Sequence, residues 1–98
     1  MKSFSEINSV LQHHLDRLQK EFHVAEIGVF GSSVRGEQKA NSDIDILVEF
    51  SRPVSFFLFM KLETHLATIL GAKIDLVSRK ALKPHIGRRI LEEVQYVS

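Results

Sequence analysis

The segment DIDILVEF, residues 43–50, is the strongest single clue to the architecture of this chain. Its apolar and β-branched residues alternate with acids, a pattern that is typical of a strand with one buried face. Side chains on a strand point to alternate faces, so Asp43 and Asp45 share one face. Ile44 and Ile46 point the other way, into the expected core. Two carboxylates this close repel each other when both are ionised, which indicates a role beyond structure.

The rest of the sequence alternates between helix-like and strand-like patterns. Apolar residues recur at helical spacing in three segments, residues 5–22, 53–70 and 84–97. Two short apolar runs predict further strands, at residues 25–30 and 72–78. With a short helix after the first strand, the predicted order is α-β-α-β-α-β-α, and KANS, residues 39–42, is expected to be a loop. This order favours an α/β or α+β fold, a small mixed sheet covered by helices, and one domain over residues 1–98.

Several details of these helices are open to test. Ser3 and Glu6 have the spacing of a capping box at the start of the first helix. Pro53 is expected in the first turn of the helix over residues 53–70, with a buried stripe of Val54, Phe57, Leu58, Lys61 or Leu62, Leu66, Ile69 and Leu70. Three apolar residues lie off that stripe and predict either a wide core contact or a partner surface: Phe56, Phe59 and Met60. The last helix is expected to bury Ile86, Ile90, Val94 and Val97.

Composition excludes several classes of protein. The chain has no cysteine, which excludes disulfides and thiolate metal sites or nucleophiles. No apolar run has the length of a membrane span, and the first ten residues lack a signal-peptide core, so a cytoplasmic protein is expected. Net charge is +1, too slight to predict direct nucleic-acid binding, although residues 79–89 carry five basic side chains and no acid. That basic segment is read either as a solvated face or as a contact for phosphates or an acidic protein.

The two aspartates of the central strand have the chemistry of a metal site. A divalent cation removes the repulsion between them, and Mg²⁺ prefers hard oxygen ligands such as carboxylates and phosphates. Asp75, in the middle of the segment KIDLV, adds a third acid on a strand expected to lie beside the second. Three clustered carboxylates are able to hold two metal ions. Two alternatives stay open, a turn cap for Asp43 and a salt bridge from Asp75 to Lys73.

The segment GSSVRG, residues 31–36, supplies a candidate phosphate site. Gly31 lets the backbone approach a ligand closely, and Ser32 offers a hydroxyl and a backbone N–H. The short helix that follows presents its N-terminus, and Arg35 offers a fixed charge for a phosphate oxygen. The alternatives are a solvated helix position for Arg35 and a helix cap for Ser33.

Together these motifs resemble a known family. Gly-Ser, ten residues, Asp-x-Asp and a later strand aspartate form a pattern that resembles the DNA polymerase β-like nucleotidyltransferase superfamily. The segments SDIDILVEF, KIDLVS and ILEEVQYV resemble its smallest branch, the minimal nucleotidyltransferases (MNT). The resemblance extends over residues 27–97. Many relatives carry arginine directly after Gly-Ser, where this chain has Ser33.

The resemblance implies a nucleotidyltransferase fold and a set of roles. Gly31 and Ser32 would hold the nucleoside triphosphate, and Asp43 and Asp45 would bind two Mg²⁺ ions. Asp75 would bind the metal on the attacking side and help to activate the incoming hydroxyl. Many members are antitoxins that add AMP from ATP to a tyrosine of a HEPN-domain toxin, so a hetero-oligomer with such a partner is expected. Two other functions stay open: transfer to a small-molecule hydroxyl, and neutralisation of a partner by binding alone.

Overall fold

The protein, seen in a computed structural model, is described over residues 3–37 and 43–97, so the loop predicted at residues 39–42 lies outside the described residues. In chain order the described elements are α1 (Phe4–Phe22), β1 (Val24–Phe30), α2 (Ser32–Arg35), β2 (Ile44–Phe50), α3 (Phe56–Leu70), β3 (Ile74–Ser78), a 3-10 turn (Arg79–Ala81), α4 (Pro84–Glu93) and β4 (Gln95–Tyr96). Within these residues, no helix combines the length and the apolar character needed to cross a bilayer.

The strands form one mixed sheet in the order β3-β2-β1-β4. β1 is antiparallel to both β2 and β4, whereas β2 and β3 are parallel. The connection between the parallel strands contains α3, as a parallel pair requires a crossover. The predicted α+β architecture, a small mixed sheet covered by helices, is confirmed.

Helix α1 begins at the predicted capping box. The backbone N–H of Glu6 donates to the Ser3 hydroxyl at 3.2 Å, and the Ser3 N–H donates to the Glu6 carboxylate at 3.3 Å. These two bonds satisfy N–H groups that a helix end leaves without intrahelical partners. The helix ends after Phe22 with His23 in the left-handed conformation, φ 56°.

The core lies between the sheet and helices α1 and α3. The inward side chains of the strands are fully buried at positions such as Ile27, Val29, Ile46 and Val48. They pack in one cluster with the buried stripes of the two helices, Ile7, Leu11, Leu18 and Phe22 from α1 and Leu62, Leu66 and Leu70 from α3. Burying each such side chain stabilises the fold by about 1.5–3 kcal/mol. The aspartates of the central strand are thereby forced onto the opposite face of the sheet.

The predicted start and phase of α3 were partly wrong. The helix begins at Phe56 rather than Pro53, because the Ser55 hydroxyl accepts the N–H of Leu58 at 3.1 Å and caps the helix there. Phe57, which was expected in the buried stripe, is 72% exposed and lies 5.5 Å from the Lys61 ammonium. The buried stripe is centred on Leu62, Leu66 and Leu70, and this phase turns Phe57 outward.

The residues predicted to lie off that stripe divide into two groups. Phe59 packs against the core and contacts Phe50 edge-on, so for this residue the wide core contact was the right alternative. Phe56 and Met60 are 74% and 49% exposed, so for them the wide core contact is wrong. A partner surface at these two residues stays a prediction.

The last helix is shorter than predicted. It ends at Glu93, and Val94 adopts an extended conformation that leads into β4, a strand missed by the helical periodicity. Gly28 on β1 permits the pairing, since a Cβ there would lie 2.6 Å from Cγ2 of Val94. Val97 is buried as expected, but Ile86 is 61% exposed, contrary to the prediction.

Candidate active site

Two of the three predicted aspartates are partners across the parallel strands. Asp45 of β2 lies directly opposite Asp75 of β3 in the register of the sheet. Asp45 is half-buried and Asp75 is exposed. Asp43 precedes β2 by one residue and is also half-buried. Among the described residues no ion pair joins Asp75 to Lys73, so the salt-bridge alternative for Asp75 is not supported.

The Asp45 carboxyl carries the clearest electrostatic signature of the site. Burial and the charge of Asp75 raise its pKa from 3.8 to about 6, and a hydrogen bond with Asp75 and the charge of Asp43 act in the same direction. The positive charge of Arg35 acts in the opposite direction. A carboxyl whose pKa is raised by burial and by a neighbouring carboxylate is a candidate functional group.

Gly31 brings the backbone turn into contact with this carboxyl. It has φ 75° and ψ −148°, a conformation open almost only to glycine. A Cβ at this position would lie 2.1 Å from Oδ2 of Asp45. The glycine is therefore required twice, once for its backbone angles and once for the space that the Asp45 side chain occupies.

The Gly-Ser turn continues into α2 as predicted. The Gly31 carbonyl accepts the N–H groups of Val34 and Arg35 at 3.1 and 3.2 Å, and Gly36 ends the helix in the left-handed conformation. Ser32 is half-buried. Ser33 is 5% exposed and does not cap the helix, because Gly31 holds the cap position.

Glu93, the last residue of α4, is a part of this site that the sequence did not reveal. The Gly31 N–H donates to its carboxylate at 2.8 Å, and Arg35 forms an ion pair with the same group. Burial alone would raise the pKa of Glu93, but the hydrogen bonds from Arg35 and Gly31 outweigh it and lower this pKa. Arg35 and Glu93 are 58 residues apart in sequence, so no local sequence pattern was able to indicate their ion pair.

Arg35 is held in place by two acids. Its guanidinium pairs with Glu37 at 2.7 Å as well as with Glu93, and its side chain is 47% exposed. Arg35 is thus an exposed helix residue, as one alternative expected, and it also pairs with two carboxylates. A direct contact between Arg35 and a nucleotide stays a prediction.

Helix α4 forms one wall of a cleft of about 330 Å³ over the turn. Phe30, Gly31, Arg35 and Asp45 form the opposite wall. The residues contributed by α4 recur at helical spacing and make one stripe: Ile86, Arg89, Ile90 and Glu93. Clefts of this size hold small-molecule ligands in many proteins.

The donor set fits a hard divalent cation. Asp45 and Asp75 provide paired carboxylate oxygens whose repulsion such an ion relieves. Among the described residues, no group of three or more His, Asp or Glu side chains is already arranged to hold a metal ion. Mg²⁺ commonly takes one or two protein carboxylates and completes its shell with phosphate oxygens and water. The carboxylates of Asp45 and Asp75 are therefore sufficient protein ligands for one such ion. Participation of Asp43, and the binding of two ions, stay predictions.

Comparison with known proteins places these features in a family. A family model described as a nucleotidyltransferase domain matches residues 11–97. The chain is 47% identical over 97 residues to the protein adenylyltransferase MntA of Thermococcus cleftensis, covering 99% of this chain and 98% of that relative.

Solved structures share the fold. A candidate minimal nucleotidyltransferase superimposes with a TM-score of 0.80 at 26% identity, covering 96% of this chain and 95% of that one. A chain from a complex of a tri-AMPylated HEPN toxin with an MNT antitoxin, from Shewanella oneidensis, superimposes with a TM-score of 0.65. It is 18% identical over 93% of this chain and 71% of the other, so this likeness extends to the fold alone.

Proposed function

The chain belongs to the nucleotidyltransferase domain family, and from that premise we propose that it transfers AMP from ATP to a hydroxyl group of a partner protein. The observation that carries the proposal is the position of the Asp45–Asp75 pair beside the Gly31 turn. A nucleotidyltransferase needs carboxylates near the reacting phosphorus and a backbone turn for the rest of the triphosphate. The relative MntA is named a protein adenylyltransferase, and this chain matches it over nearly its full length. That match favours AMP as the transferred group and a protein as the acceptor.

The glycine, the serine and the three aspartates predicted from the sequence each have a role in this reaction. Gly31 and Ser32 hold the triphosphate, because the glycine has no side chain between the backbone and the ligand. Asp43, Asp45 and Asp75 are the catalytic and metal-binding acids, and bound Mg²⁺ ions would neutralise phosphate charge. Asp75, the exposed member of the pair, would bind the metal on the attacking side and help to activate the incoming hydroxyl.

The bonds exchanged define the products. The acceptor oxygen forms a bond to the α-phosphorus, and the bond from that phosphorus to the bridging oxygen breaks. Pyrophosphate leaves, and the acceptor retains AMP. Because the chemistry needs mainly positioning and neutralisation of charge, three acids and a phosphate-holding turn are sufficient protein parts.

We further propose a HEPN-domain toxin as the partner and a tyrosine as the acceptor, which makes the chain an antitoxin. Support comes from the MntA relative and from the shared fold with the antitoxin in a HEPN toxin complex. Two surfaces are candidates for docking, the exposed Phe56 and Met60 of α3 and the basic segment of residues 79–89. An enzyme that consumes ATP is expected in the cytoplasm, and residues 1–98 are proposed to act as one domain.

The position of a radiolabel in ATP tests this proposal. The chain is incubated with Mg²⁺, a HEPN-domain partner, and ATP labelled at either the α- or the γ-phosphate. The α-label is expected on the partner and the γ-label in pyrophosphate, and substituting the acceptor tyrosine by phenylalanine removes the label from the partner. Asp45→Asn is expected to abolish the transfer.

Three results would contradict parts of the proposal. If the γ-phosphate label appears on the partner, the chain transfers a phosphoryl group instead of AMP. Tight binding of the partner without any label supports an antitoxin that acts by contact alone. Label on an added aminoglycoside rather than on protein supports the small-molecule alternative.

A further inference from the structure

The cleft contains two arginines in different electrostatic situations. Arg35 pairs with Glu37 and with Glu93, so two carboxylates oppose its single charge. Arg89 lines the same cleft, is exposed, and forms no ion pair within residues 3–37 and 43–97. Its charge still helps to lower the pKa of Glu93. Among the described residues, Arg89 is therefore the arginine of this cleft whose charge no paired carboxylate offsets.

Helical spacing directs Arg89 to the cleft and its neighbour away from it. Arg89 belongs to the α4 stripe that faces Gly31 and Asp45. Arg88, about 100° away around the helix axis, lines a separate depression with Arg79 and Leu82. Two adjacent arginines of equal charge thus line different depressions, and only Arg89 lines the cleft that contains Gly31 and Asp45.

A triphosphate adds several negative charges to a cleft that already contains Asp45 and Glu93. The bonds from Arg35 to two carboxylates offset its positive charge, so less of that charge is left to neutralise the phosphates. Arg89 has no such bond to break. Its planar guanidinium suits the geometry of phosphate oxygens.

We propose that Arg89 binds the β- and γ-phosphates of the nucleotide, and that Arg35 instead positions Glu93 against the Gly31 turn. This inference rests on the proposed function, since it assigns a further ligand to the same nucleotide site. It also identifies one use for the basic segment of residues 79–89, of which Arg89 is the last member.

Binding of a non-hydrolysable ATP analogue and of AMP, measured by calorimetry with Mg²⁺ present, tests the assignment. Arg89→Gln is expected to weaken binding of the analogue about tenfold or more and to leave AMP binding within about twofold, because AMP lacks the contacted phosphates. Arg88→Gln is the matched control and is expected to bind both ligands as the wild type does. Arg89→Met, which keeps the aliphatic stem, is a second variant with the same expectation, and thermal unfolding compares the folds of all variants.

The outcomes separate the inference from the proposed function. If Arg89→Gln binds the analogue as tightly as Arg88→Gln, the assignment is overturned while the proposed function stands. If Arg89→Gln loses AMP and the analogue equally, a contact to the β- and γ-phosphates is contradicted. If the wild-type protein binds neither nucleotide, both the inference and the proposed function are wrong.

Discussion

At the scale of single residues, we expect the addition of one methyl group at Gly31 to impair both AMP transfer and stability. Gly31→Ala introduces a methyl group where Oδ2 of Asp45 now lies, 2.1 Å from the added carbon, at a φ of 75°. The variant is expected to lose AMP transfer and about 1–3 kcal/mol of unfolding free energy, through backbone strain and displacement of the carboxyl. Urea unfolding and the α-label assay measure the two effects.

Gly36 provides a matched control for that substitution. It has a similar φ of 72°, but a Cβ there has no heavy atom within 4 Å. Gly36→Ala is expected to cost about 1 kcal/mol from strain alone and to retain transfer activity. Equal loss of activity in both variants would mean that contact with Asp45 is not what requires glycine at position 31.

Asp45 should make the stability of the metal-free protein depend on pH. Its pKa is raised from 3.8 to about 6 in the folded state, so the folded state binds this proton more tightly than the unfolded state does. The resulting stabilisation is complete below the unfolded pKa and is lost as pH rises through about 6. Asp45→Asn, which stays neutral, is therefore expected to be more stable than the wild type at neutral pH.

The size of that gain is limited because the carboxyl is partly exposed. We expect Asp45→Asn to raise the free energy of unfolding by about 1 kcal/mol near pH 7, and this gain is expected to disappear toward pH 4. Urea unfolding in the presence of EDTA measures it. A gain of the same size at both pH values would show that it does not come from titration of this group.

At the scale of elements, the contact between α4 and the Gly-Ser turn depends on Glu93. Its carboxylate accepts the Gly31 N–H and pairs with Arg35, so it joins the end of the chain to the candidate site. Glu93→Gln keeps an acceptor but removes the charge. We expect a loss of about 1 kcal/mol in unfolding free energy, together with weaker nucleotide binding, because charged hydrogen bonds exceed neutral ones in strength.

Glu92 is the matched control for that change. It is exposed and lines the separate depression that contains Arg88, not the cleft over the turn. Glu92→Gln is expected to leave both stability and nucleotide binding nearly unchanged. If the two glutamine variants behave alike, the link from α4 to the turn contributes nothing.

Local patterns predicted the elements whose causes are local. The capping box of Ser3 and Glu6 depends on a few adjacent residues, and it is present in the structure. The end of α4 was missed because apolar spacing continues through Val94 and Val97. What ends the helix is pairing of Gln95 and Tyr96 with β1, a contact with residues far away in sequence. The phase of α3 was similarly decided by packing against α1, which periodicity alone does not specify.

At the scale of the whole molecule, the fold separates the core face of the sheet from the acidic face. Ile46 and Val48 are fully buried under α1 and α3, and this fixes Asp45 on the other side, opposite Asp75. Strand alternation and the resemblance to nucleotidyltransferases were enough to predict that pairing from the sequence. They did not predict Glu93 or Arg89 beside it, because the position of α4 over the turn is a tertiary contact without a motif.

The central claim is that the Asp45–Asp75 pair and the Gly31 turn together bind ATP with a divalent cation. The most direct test is calorimetric titration of a non-hydrolysable ATP analogue into wild-type protein, Asp45→Asn and Asp75→Asn, each with Mg²⁺ and with EDTA. We expect wild-type binding that requires Mg²⁺, and binding about tenfold weaker or lost in both variants, since each removes a charged oxygen ligand. Binding of equal strength in EDTA, or in either variant with Mg²⁺, would contradict the account.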